Sequence, residues 1–406
     1  MHFVPILSTL RRHKIAATLI VLQIALTCAI VCNAIFLIGE RLSLIDQPSG
    51  VVDDELVRIG IIASGKDEDA MAVTEKDLAA LRAIPGVKYA ATVDMLPFGG
   101  SSWNSSASTH PNDSHPPVNA AIYMGTEDLL ETFGVNLVAG RDFNPNEYTD
   151  FMDLIDQKAY PPSIIITRGT ARALFGDENP LGKGIYIWGD QPQTVVGVVD
   201  HIARPSDGNG SQYADDSVFY PVKVSYYNAS NYVMRVDPSR THELLDAGVA
   251  ALDKVKPNRI IIGKNTFNEI RADYFKADRA MAWLLIGVCI ALLVITALGI
   301  VGLASFWVQQ RTRQIGIRRA LGATRAQILS YFQTENFILA TLGIVLGMGL
   351  AYGINLWLMD TYHVARLPAT FLPIGAILLW ILGQIAVLGP ALRAAAVPPA
   401  VATRTV

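Results

Sequence analysis

Residues 176–184, with the sequence GDENPLGKG, resemble a loop that binds nucleotide phosphates, because two glycines bracket a short segment that ends in Lys183. In that motif four residues separate the glycines, and a Ser or Thr after the lysine holds Mg²⁺. Here five residues separate Gly176 from Gly182, and Gly184 stands where the hydroxyl residue belongs. We therefore expect no ATP or Mg²⁺ site in this chain.

Two clusters that contain histidine lie in polar stretches. One comprises His110, Asp113 and His115, and in the other Asp200 directly precedes His201. A zinc site needs three or four ligands held by rigid elements, and acid–base catalysis at His201 would need a nucleophile motif such as G-x-S-x-G. The sequence offers neither, so we expect solvated loop residues and a protein without catalytic activity of its own.

Four more reactive or ionisable residues fall in apolar stretches. Cys28, Cys32 and Cys289 are expected to be small packing residues, the commonest role of a cysteine that is not exposed. Glu335 stands where an apolar run begins, and we expect it to pair with Arg319 or Arg325 or to cap a helix. A charge inside a membrane segment can also mark a transport route, and this alternative stays open.

The composition indicates a membrane protein. Hydrophobic residues make up 51% of the 406 residues and charged residues only 17%, against about 25% charged residues in a soluble domain. Four runs without a charge exceed the roughly 20 residues that cross a bilayer, and they are 15–38, 280–308, 337–359 and 367–392. We expect four transmembrane helices, the last one trimmed by its prolines at 368, 373 and 390.

The charges divide between two parts of the chain. Residues 39–279 hold 22 Lys and Arg against 34 Asp and Glu, and the remainder holds 11 against 2, so the formal charges are −12 and +9. Basic residues in short loops stay on the cytoplasmic side of a membrane. Because they precede the first run, connect the second to the third and follow the fourth, both termini are predicted to be cytoplasmic and residues 39–279 periplasmic.

The outer domain is predicted to be α+β. Strand, helix and strand follow one another at 55–62, 74–84 and 87–95, and again at 231–236, 238–255 and 259–263. We interpret these two βαβ units as halves of one module, with Thr74 and Asp77 capping the first helix.

The residues between the two units are predicted to form an inserted lobe. It has a loop at 101–117, strands at 120–125, 163–167, 185–188 and 193–199, and helices that begin at Thr126 and Gly169. Its core is expected to hold the aromatic residues Trp103, Phe133, Phe175 and Trp188.

The connection between the second and third runs has the most informative pattern. Residues 309–329 read QQRTRQIGIRRALGATRAQIL, a basic stretch with small residues at Ala320, Gly322 and Ala323. Gly322 can end one short helix and Thr324 can cap the next. A basic helix at a membrane surface often serves only as an anchor, but small residues at a tight turn favour docking into a cleft of a partner protein.

The string RTRQIGIRRALGA at 311–323 resembles the R-E-I-G-I-R-R-A-L-G-A signature of the MacB/FtsX family of ABC transporter permeases. Residues 335–347, the tail from Pro390 and the outer stretch 179–199 are similar to the same family, so the resemblance covers nearly the whole chain. One departure is Gln314, which stands where the family usually has Glu. If that Glu meets the ATPase, this contact is altered, and pairing with a second, non-identical permease is an open alternative.

The resemblance implies a fold of four transmembrane helices and an extracytoplasmic α+β domain, in which a porter-like module of two βαβ units carries an inserted sabre-like lobe. We assign the spans to 15–38, 280–308, 331–359 and 371–390, and the periplasmic domain to 39–279. Within that domain the porter-like module takes 50–118 and 229–265, the lobe 119–228 and a stalk 266–279. The other assigned segments are an interfacial N-terminal helix at 1–14, a cytoplasmic coupling segment at 309–330, a short periplasmic loop at 360–370 and a cytoplasmic tail at 391–406.

The resemblance also implies a non-catalytic permease subunit of the bacterial inner membrane. Such subunits dimerise and bind separate cytoplasmic ATPases that carry ATP and Mg²⁺. MacB-like members expel periplasmic substrates through an adaptor and an outer-membrane channel. Membrane lipid is the other expected partner, and no nucleic acid is expected. The residues implied in ATPase coupling are Arg313, Gln314, Gly316, Arg318, Arg319, Leu321, Gly322 and Ala323. An FtsX-like transducer of cell-wall hydrolases, a lipoprotein-releasing permease and an unrelated sensor or enzyme stay open.

The lengths of the first two runs suit mechanical transmission. At about 1.5 Å per helical residue, 24 and 29 residues reach roughly 36 and 44 Å, more than the roughly 30 Å hydrocarbon core. The second span is therefore predicted to continue through 267–279 as a rigid lever. The spans carry few polar groups for a hydrophilic pore, which favours transmission of motion over conduction.

Overall fold

The computed structural model of the chain describes residues 14–62, 69–188, 190–206, 215–229, 231–257, 259–362 and 366–398. The interfacial helix predicted near the N-terminus lies outside these residues. Two compact units are present. The helical unit comprises the residues up to Asp46 and those from Ala277 onward, and the α/β unit is Gln47–Lys276.

The helices are, in chain order, α1 Lys14–Ile45, α2 Ala70–Arg82, α3 Leu129–Phe133, α4 Phe151–Ile155, α5 Arg168–Phe175, α6 Tyr226–Ala229, α7 Thr241–Val255, α8 Phe267–Tyr274, α9 Lys276–Gln310, α10 Thr312–Ala320, α11 Arg325–Tyr362 and α12 Phe371–Ala396. The strands are β1 Leu56–Ile62, β2 Val87–Thr92, β3 Asn104–Ala107, β4 Val118–Met124, β5 Leu137–Gly140, β6 Thr149–Asp150, β7 Ser163–Thr167, β8 Gly184–Ile185, β9 Gln193–Val199, β10 Ser217–Tyr220, β11 Val222–Lys223, β12 Asn231–Val236 and β13 Ile260–Thr266.

Four helices of the helical unit, α1, α9, α11 and α12, are long and apolar enough to cross a membrane, which confirms the predicted number of spans. Helix α12 continues to Ala396, beyond the predicted end at 390. Pro373 lies in its first turn, where the missing N–H has no helical acceptor to lose. Pro390 lies inside the helix and is buried, and in a packed bundle neighbouring helices compensate for the hydrogen bond that a proline removes.

Glycines and the cysteines set how closely the spanning helices approach. A methyl group on Gly347 of α11 would lie 2.5 Å from Cys28 Cβ of α1, and one on Gly375 of α12 would lie 2.4 Å from Cys32 Sγ. Cys28, Cys32 and Cys289 are buried free thiols, so their predicted role as packing residues is confirmed. Between α1 and α9, the hydroxyl oxygens of Thr27 and Thr296 lie 2.8 Å apart.

The predicted lever through 267–279 is wrong as one rigid helix. Helix α8 ends at Tyr274 and α9 begins at Lys276, so that Phe275 separates two helices. The side chain of Phe275 is buried, and its ring centroid lies 5.1 Å from that of Phe98. The break at Phe275 falls in the middle of the predicted lever.

The first sheet of the α/β unit has the strand order β13-β1-β12-β2, and every pair is antiparallel. The units β1-α2-β2 and β12-α7-β13 interleave, so each places a strand between the two strands of the other, as in a split βαβ module. Helices α2 and α7 cover one face, on which Val57, Ile59 and Ile61 are buried. The predicted association of two βαβ units into one module is confirmed. Strand β13 is an edge among the strands that the structure describes, and its Ile260 and Ile262 are exposed.

The second sheet has the order β3-β4-β10-β7-β9-β5, with β8 paired to β9. Strand β3 lies inside the segment 101–117 that was predicted to be a loop, and it pairs with β4 over Asn104–Ala107. The inserted lobe thus takes strand residues from the range 50–118 that was assigned to the porter-like module. Phe133 is buried as predicted, whereas Trp103 is 40% exposed and the prediction that it belongs to the core is wrong.

Two predicted helix caps are also wrong. Helix α2 begins at Ala70 after the cap Asp69, so Thr74 and Asp77 lie inside the helix, where both are buried. Helix α3 begins at Leu129 after Asp128. Thr126 instead accepts a hydrogen bond from the backbone N–H of Thr92, the last residue of β2, because a hydroxyl three residues before the helix is free to bond a neighbouring strand.

Candidate functional site

The α10 turn, defined as helix α10 with residues 321–324, lies between the second and third spanning helices. Gly322 adopts φ +96°, a conformation that favours glycine, and ends the short helix. Thr324 and Gln327 then cap α11 reciprocally: Thr324 N donates to Gln327 Oε1 at 2.9 Å, and Gln327 N donates to Thr324 Oγ1 at 3.2 Å. The helix end and cap that the sequence predicted are confirmed.

One face of α10 holds the turn against the spanning helices. Ile315 and Gly316 are buried. Ile315 belongs to an apolar cluster formed by the ends of three spanning helices, whose other members are Val308, Ile328, Phe332, Ala391, Ala394 and Ala395. The turn therefore rests on α9, α11 and α12 together.

The opposite face of the α10 turn is exposed and combines apolar with basic side chains. Leu321 is 83% exposed and Ile317 is 49% exposed. Arg313, Gln314 and Arg318 are exposed beside them. Five arginines and no acidic residue occur between 309 and 330, so the surface is positive around an apolar tip. Leu321 has the highest exposure among the large hydrophobic side chains that the structure describes, and with Ile317 it forms an apolar patch, a feature that can mark an interaction site.

Two arginines of the predicted coupling set have contacts within the helical unit. Arg319 Nη1 donates to the backbone oxygens of Ala395 and Val397 at 3.0 and 2.8 Å. These oxygens lie at the C-terminal end of α12, where the helix dipole stabilises a cation. The guanidinium of Arg318 lies 5.1 Å from the ring centroid of Tyr331.

The eight residues predicted to couple to an ATPase thus lie in different surroundings. Gly316 and Arg319 support the turn, Ala323 is half-buried, and the remaining five residues, Arg313, Gln314, Arg318, Leu321 and Gly322, are exposed. Their role in coupling stays a prediction.

A buried ion pair connects the start of the α10 turn to α11. Arg311 Nη1 donates to both carboxylate oxygens of Glu335, at 2.9 and 3.1 Å, and its guanidinium lies 5.7 Å from the ring centroid of Trp307. The predicted pairing of Glu335 with Arg319 or Arg325 is wrong. Arg325 begins the helix that contains Glu335, and ten helical residues separate the two by about 15 Å.

The sequence does contain a signal for this pair. Glu335 is the only acidic residue between 280 and 359, and an ionised carboxylate in an apolar bundle needs a cation. Two further polar atoms near this end of the bundle, Trp307 Nε1 and Asn336 Nδ2, are buried without a hydrogen-bond partner among the described residues.

The phosphate-loop-like stretch in the α/β unit uses its donors internally. Lys183 forms an ion pair with Glu178 and lies 4.9 Å from the ring centroid of Phe175. The backbone N–H of Gly182 donates to Val195 O at 2.8 Å. These contacts stabilise a turn between α5 and β9 and leave neither the lysine nor that N–H for a phosphate.

The histidine clusters do not assemble into sites. Asp113 accepts hydrogen bonds from the backbone N–H of His115 at 2.9 Å and from Ser108 Oγ at 2.7 Å, and these bonds lower the pKa of Asp113. Among the described residues, no group of three His, Cys, Asp or Glu side chains is placed to hold a metal ion.

Asp200 and His201 likewise bond to different residues. Asp200 forms an ion pair with Arg168 at 3.0 Å. His201 contacts Asp215 through Nδ1 at 2.8 Å and the backbone oxygen of Pro48 through Nε2 at 2.9 Å. Both residues therefore join loops, and neither activates the other.

Two buried carboxyl groups of the α/β unit were not recognised from the sequence. Asp77 of α2 accepts from both Nη atoms of Arg259 at 2.5 and 2.7 Å and from Tyr232 Oη at 2.5 Å, so it ties the helix to the sheet instead of capping the helix. Asp94 follows β2, and burial raises its pKa to about 8. Neither residue stands in a motif that would reveal burial.

Comparison with known proteins covers both units. The family model of the MacB-like periplasmic core domain matches residues 17–252, and that of the FtsX-like permease C-terminal region matches residues 286–399. The macrolide export ATP-binding/permease protein MacB of Chromobacterium violaceum is 28% identical over 243 residues, 59% of this chain and 36% of that protein. The ABC transporter permease YknZ of Bacillus subtilis is 26% identical over 285 residues, 69% of this chain and 66% of that protein.

Two solved structures are similar to part of the chain. The extracellular domain of a YknZ transporter is 17% identical with a TM-score of 0.32, and covers 51% of this chain and 100% of its own. The periplasmic region of MacB from Actinobacillus actinomycetemcomitans is 16% identical with a TM-score of 0.33, and covers 55% and 94%. The chain spans about a third of the length of the MacB relative from C. violaceum.

Proposed function

Because the chain belongs to the MacB/FtsX family of ABC transporter permeases, we propose that it is the membrane subunit of a transporter in which a separate ATPase docks on the α10 turn. The observation that carries this proposal is the exposed apolar tip, Leu321 with Ile317, surrounded by arginines and backed by a buried face. Arginine is one of the residue types enriched among the residues that dominate binding energy at interfaces, and Arg313 and Arg318 flank an apolar patch that a partner can cover.

The chemistry of the tip predicts the shape of its receptor. Burying Leu321 would contribute about 1.5–3 kcal/mol, so the ATPase needs an apolar socket for it. Arg313 and Arg318 favour acidic residues at the rim of that socket. Gln314 stands where the family signature usually has Glu, so this surface has one negative charge less. The facing surface of the ATPase therefore needs fewer basic residues.

The proposed output is movement of the helices on which the turn rests. A force on α10 acts on α9 and α11 through Ile315 and through the Arg311–Glu335 pair, and on α12 through Arg319. Packed helices move as rigid elements, so motion of the ATPase would reach the α/β unit along the helices and require no pore. We infer mechanotransmission, without catalysis in this chain.

The proposed setting follows the charge distribution. The basic α10 turn lies in the cytoplasm and the acidic α/β unit in the periplasm of a bacterial inner membrane. The subunit works as a dimer, with the same or a paralogous permease, and serves efflux of a periplasmic drug or peptide. The MacB relative, named a macrolide export protein, supports an export role. An adaptor and an outer-membrane channel would complete the path.

Leu321→Glu tests the docking surface. The full chain in nanodiscs would be mixed with a candidate ABC ATPase from the same organism, and binding and stimulated ATP hydrolysis would be measured. We expect at least about tenfold weaker binding, because a charge replaces the apolar anchor. Met152→Glu, a matched change of an exposed apolar residue in the α/β unit, should leave both quantities unchanged. Full binding by the Leu321→Glu variant would refute docking at this turn.

A further inference from the structure

A cavity of about 140 Å³ lies in the α/β unit, on the face of the first sheet opposite α2 and α7. Its polar side chains are those of Arg58 of β1, Asn231 of β12, Asp94 and Ser101. Its apolar lining comes from Met95, Leu96 and Ile270. None of these residues belongs to the proposed docking surface or to the clusters that the sequence singled out.

The guanidinium of Arg58 is held in place without a counter-ion. Its Nε donates to Asn231 Oδ1 at 2.6 Å, and Asn231 is itself oriented by donating to the backbone oxygens of Val93 and Asp94 at 3.3 and 3.2 Å. Among the described residues, no carboxylate forms an ion pair with Arg58. Arg58 lines the cavity, and in the part of the chain that the structure describes its Nη1 and Nη2 atoms form no hydrogen bond.

The sheet leaves room for this guanidinium. Gly60 of β1 and Gly263 of β13 stand directly opposite each other. A methyl group on Gly60 would lie 2.9 Å from Arg58 Nη2, and one on Gly263 would lie 3.8 Å from Nη1. The two glycines at this paired position thus leave space beside the guanidinium of Arg58. Side chains at both positions would fill that space.

The acidic residue of the cavity does not neutralise the arginine at neutral pH. Asp94 Oδ1 accepts from the backbone N–H groups of Met95 and Met124, each at 2.9 Å. Burial nevertheless raises its pKa to about 8, so most of the carboxyl groups are protonated at pH 7. The cavity consequently holds one net positive charge beside an apolar wall.

We propose that this cavity binds the carboxylate group of a small organic anion, with Arg58 as its anchor. A guanidinium with two free Nη atoms matches the two oxygens of a carboxylate in a planar, bidentate contact. Met95, Leu96 and Ile270 contact the apolar remainder of the ligand. The site is independent of the α10 turn, and its test contains no ATPase.

The probes are propionate and its neutral isostere propionamide, each titrated onto the full chain in nanodiscs at pH 7 and followed by saturation-transfer difference NMR. We expect saturation transfer to propionate and none to propionamide. Arg58→Gln should weaken propionate binding at least about tenfold, because hydrogen bonds between two charged groups are the strong ones. Arg235→Gln is the control, since Arg235 lies on the same sheet and is already paired with Glu55 at 2.6 Å.

A second variant keeps Arg58 intact in case its replacement disturbs the fold. Ser101 is exposed at the cavity, and Ser101→Phe should reduce propionate binding by obstructing the space beside the arginine. Equal signals for the two probes, for the wild type and Arg58→Gln, or for the wild type and Ser101→Phe would each overturn the proposal.

Discussion

Arg311 and Glu335 form an ion pair whose side chains are only 9% and 2% exposed, and whose guanidinium nitrogen Nη1 contacts both carboxylate oxygens. Arg311 is the residue between α9 and α10, and Glu335 lies ten residues into α11. Ion pairs in an apolar environment lose much of their attraction to desolvation, so the pair fixes a position more than it adds stability. It holds the start of the α10 turn to the third spanning helix.

Removing one member of this pair should destabilise the helical unit. Glu335→Ala leaves the arginine buried without a partner, and we expect a loss of about 3–5 kcal/mol, measured by urea unfolding in detergent. The double variant Arg311→Met with Glu335→Leu should regain most of that stability and still stimulate the ATPase poorly. Full stimulation in the double variant would show that the pair has no positioning role.

The contact between α11 and α1 should tolerate no added methyl group at Gly347. A Cβ there would lie 2.5 Å from Cys28 Cβ and 2.6 Å from the backbone oxygen of Ala25, so Gly347→Ala must separate the helices at a cost of about 1–3 kcal/mol. Gly349→Ala is the matched control on the same helix, since nothing lies within 4 Å of its added methyl group. Equal unfolding midpoints for the two variants would contradict this packing.

Gly322 should resist substitution for a conformational reason. Its φ of +96° is one that L side chains rarely adopt, and Gly322→Ala is expected to cost about 1–2 kcal/mol in the α10 turn. Hydrogen exchange of the amides in residues 312–327 should therefore become faster. Gly302→Ala in α9, where the added methyl group meets open space, should leave that exchange unchanged; slower or identical exchange in Gly322→Ala would rule out strain.

Asp94 should make the stability of the α/β unit fall as pH rises. Its pKa is about 8 in the fold and about 3.9 in an unfolded chain. Between these values the folded state holds a proton that the unfolded state releases, so the free energy of unfolding decreases by up to about 1.4 kcal/mol per pH unit. That contribution is fully present below pH 4 and is lost by pH 8.

Asp94→Asn isolates this contribution, because the amide oxygen can accept the same two backbone N–H bonds. Urea unfolding followed by tryptophan fluorescence at pH 5, 6, 7 and 8 should show a shallower decline for the variant than for the wild type. Parallel pH profiles would mean that Asp94 titrates near its unfolded value.

The sequence predicted what depends on local pattern. Uncharged runs of sufficient length identified the four spanning helices, and Gly322 followed by Thr324 identified the α10 turn, because a helix end and a cap depend on neighbouring residues alone. The partner of Glu335 could not be predicted in this way, since helix packing decides which arginine reaches it. Strand β3 was missed because pairing with β4, rather than its polar composition, makes it a strand.

Errors at Thr74 and Thr126 have a different origin. Each threonine has the side chain of a good cap, but the helix begins four residues before the first and three after the second. Both hydroxyls form tertiary hydrogen bonds instead, with Tyr226 N and Thr92 N as donors. Nothing in the local sequence separates a capping hydroxyl from one that joins two parts of a fold.

The edge strand β13 has a consequence for anyone who handles the α/β unit alone. Among the described strands β13 pairs only with β1. The free backbone groups of such an edge, here next to the exposed side chains of Ile260 and Ile262, form a template for intermolecular strand addition. Lys264 is the one charged residue of that strand, and its Nζ forms an ion pair with Asp246 Oδ1 at 2.7 Å. A soluble fragment of this unit will therefore tend to aggregate through β13. The substitution Ile262→Lys adds a second charge to the strand and should keep the fragment monodisperse.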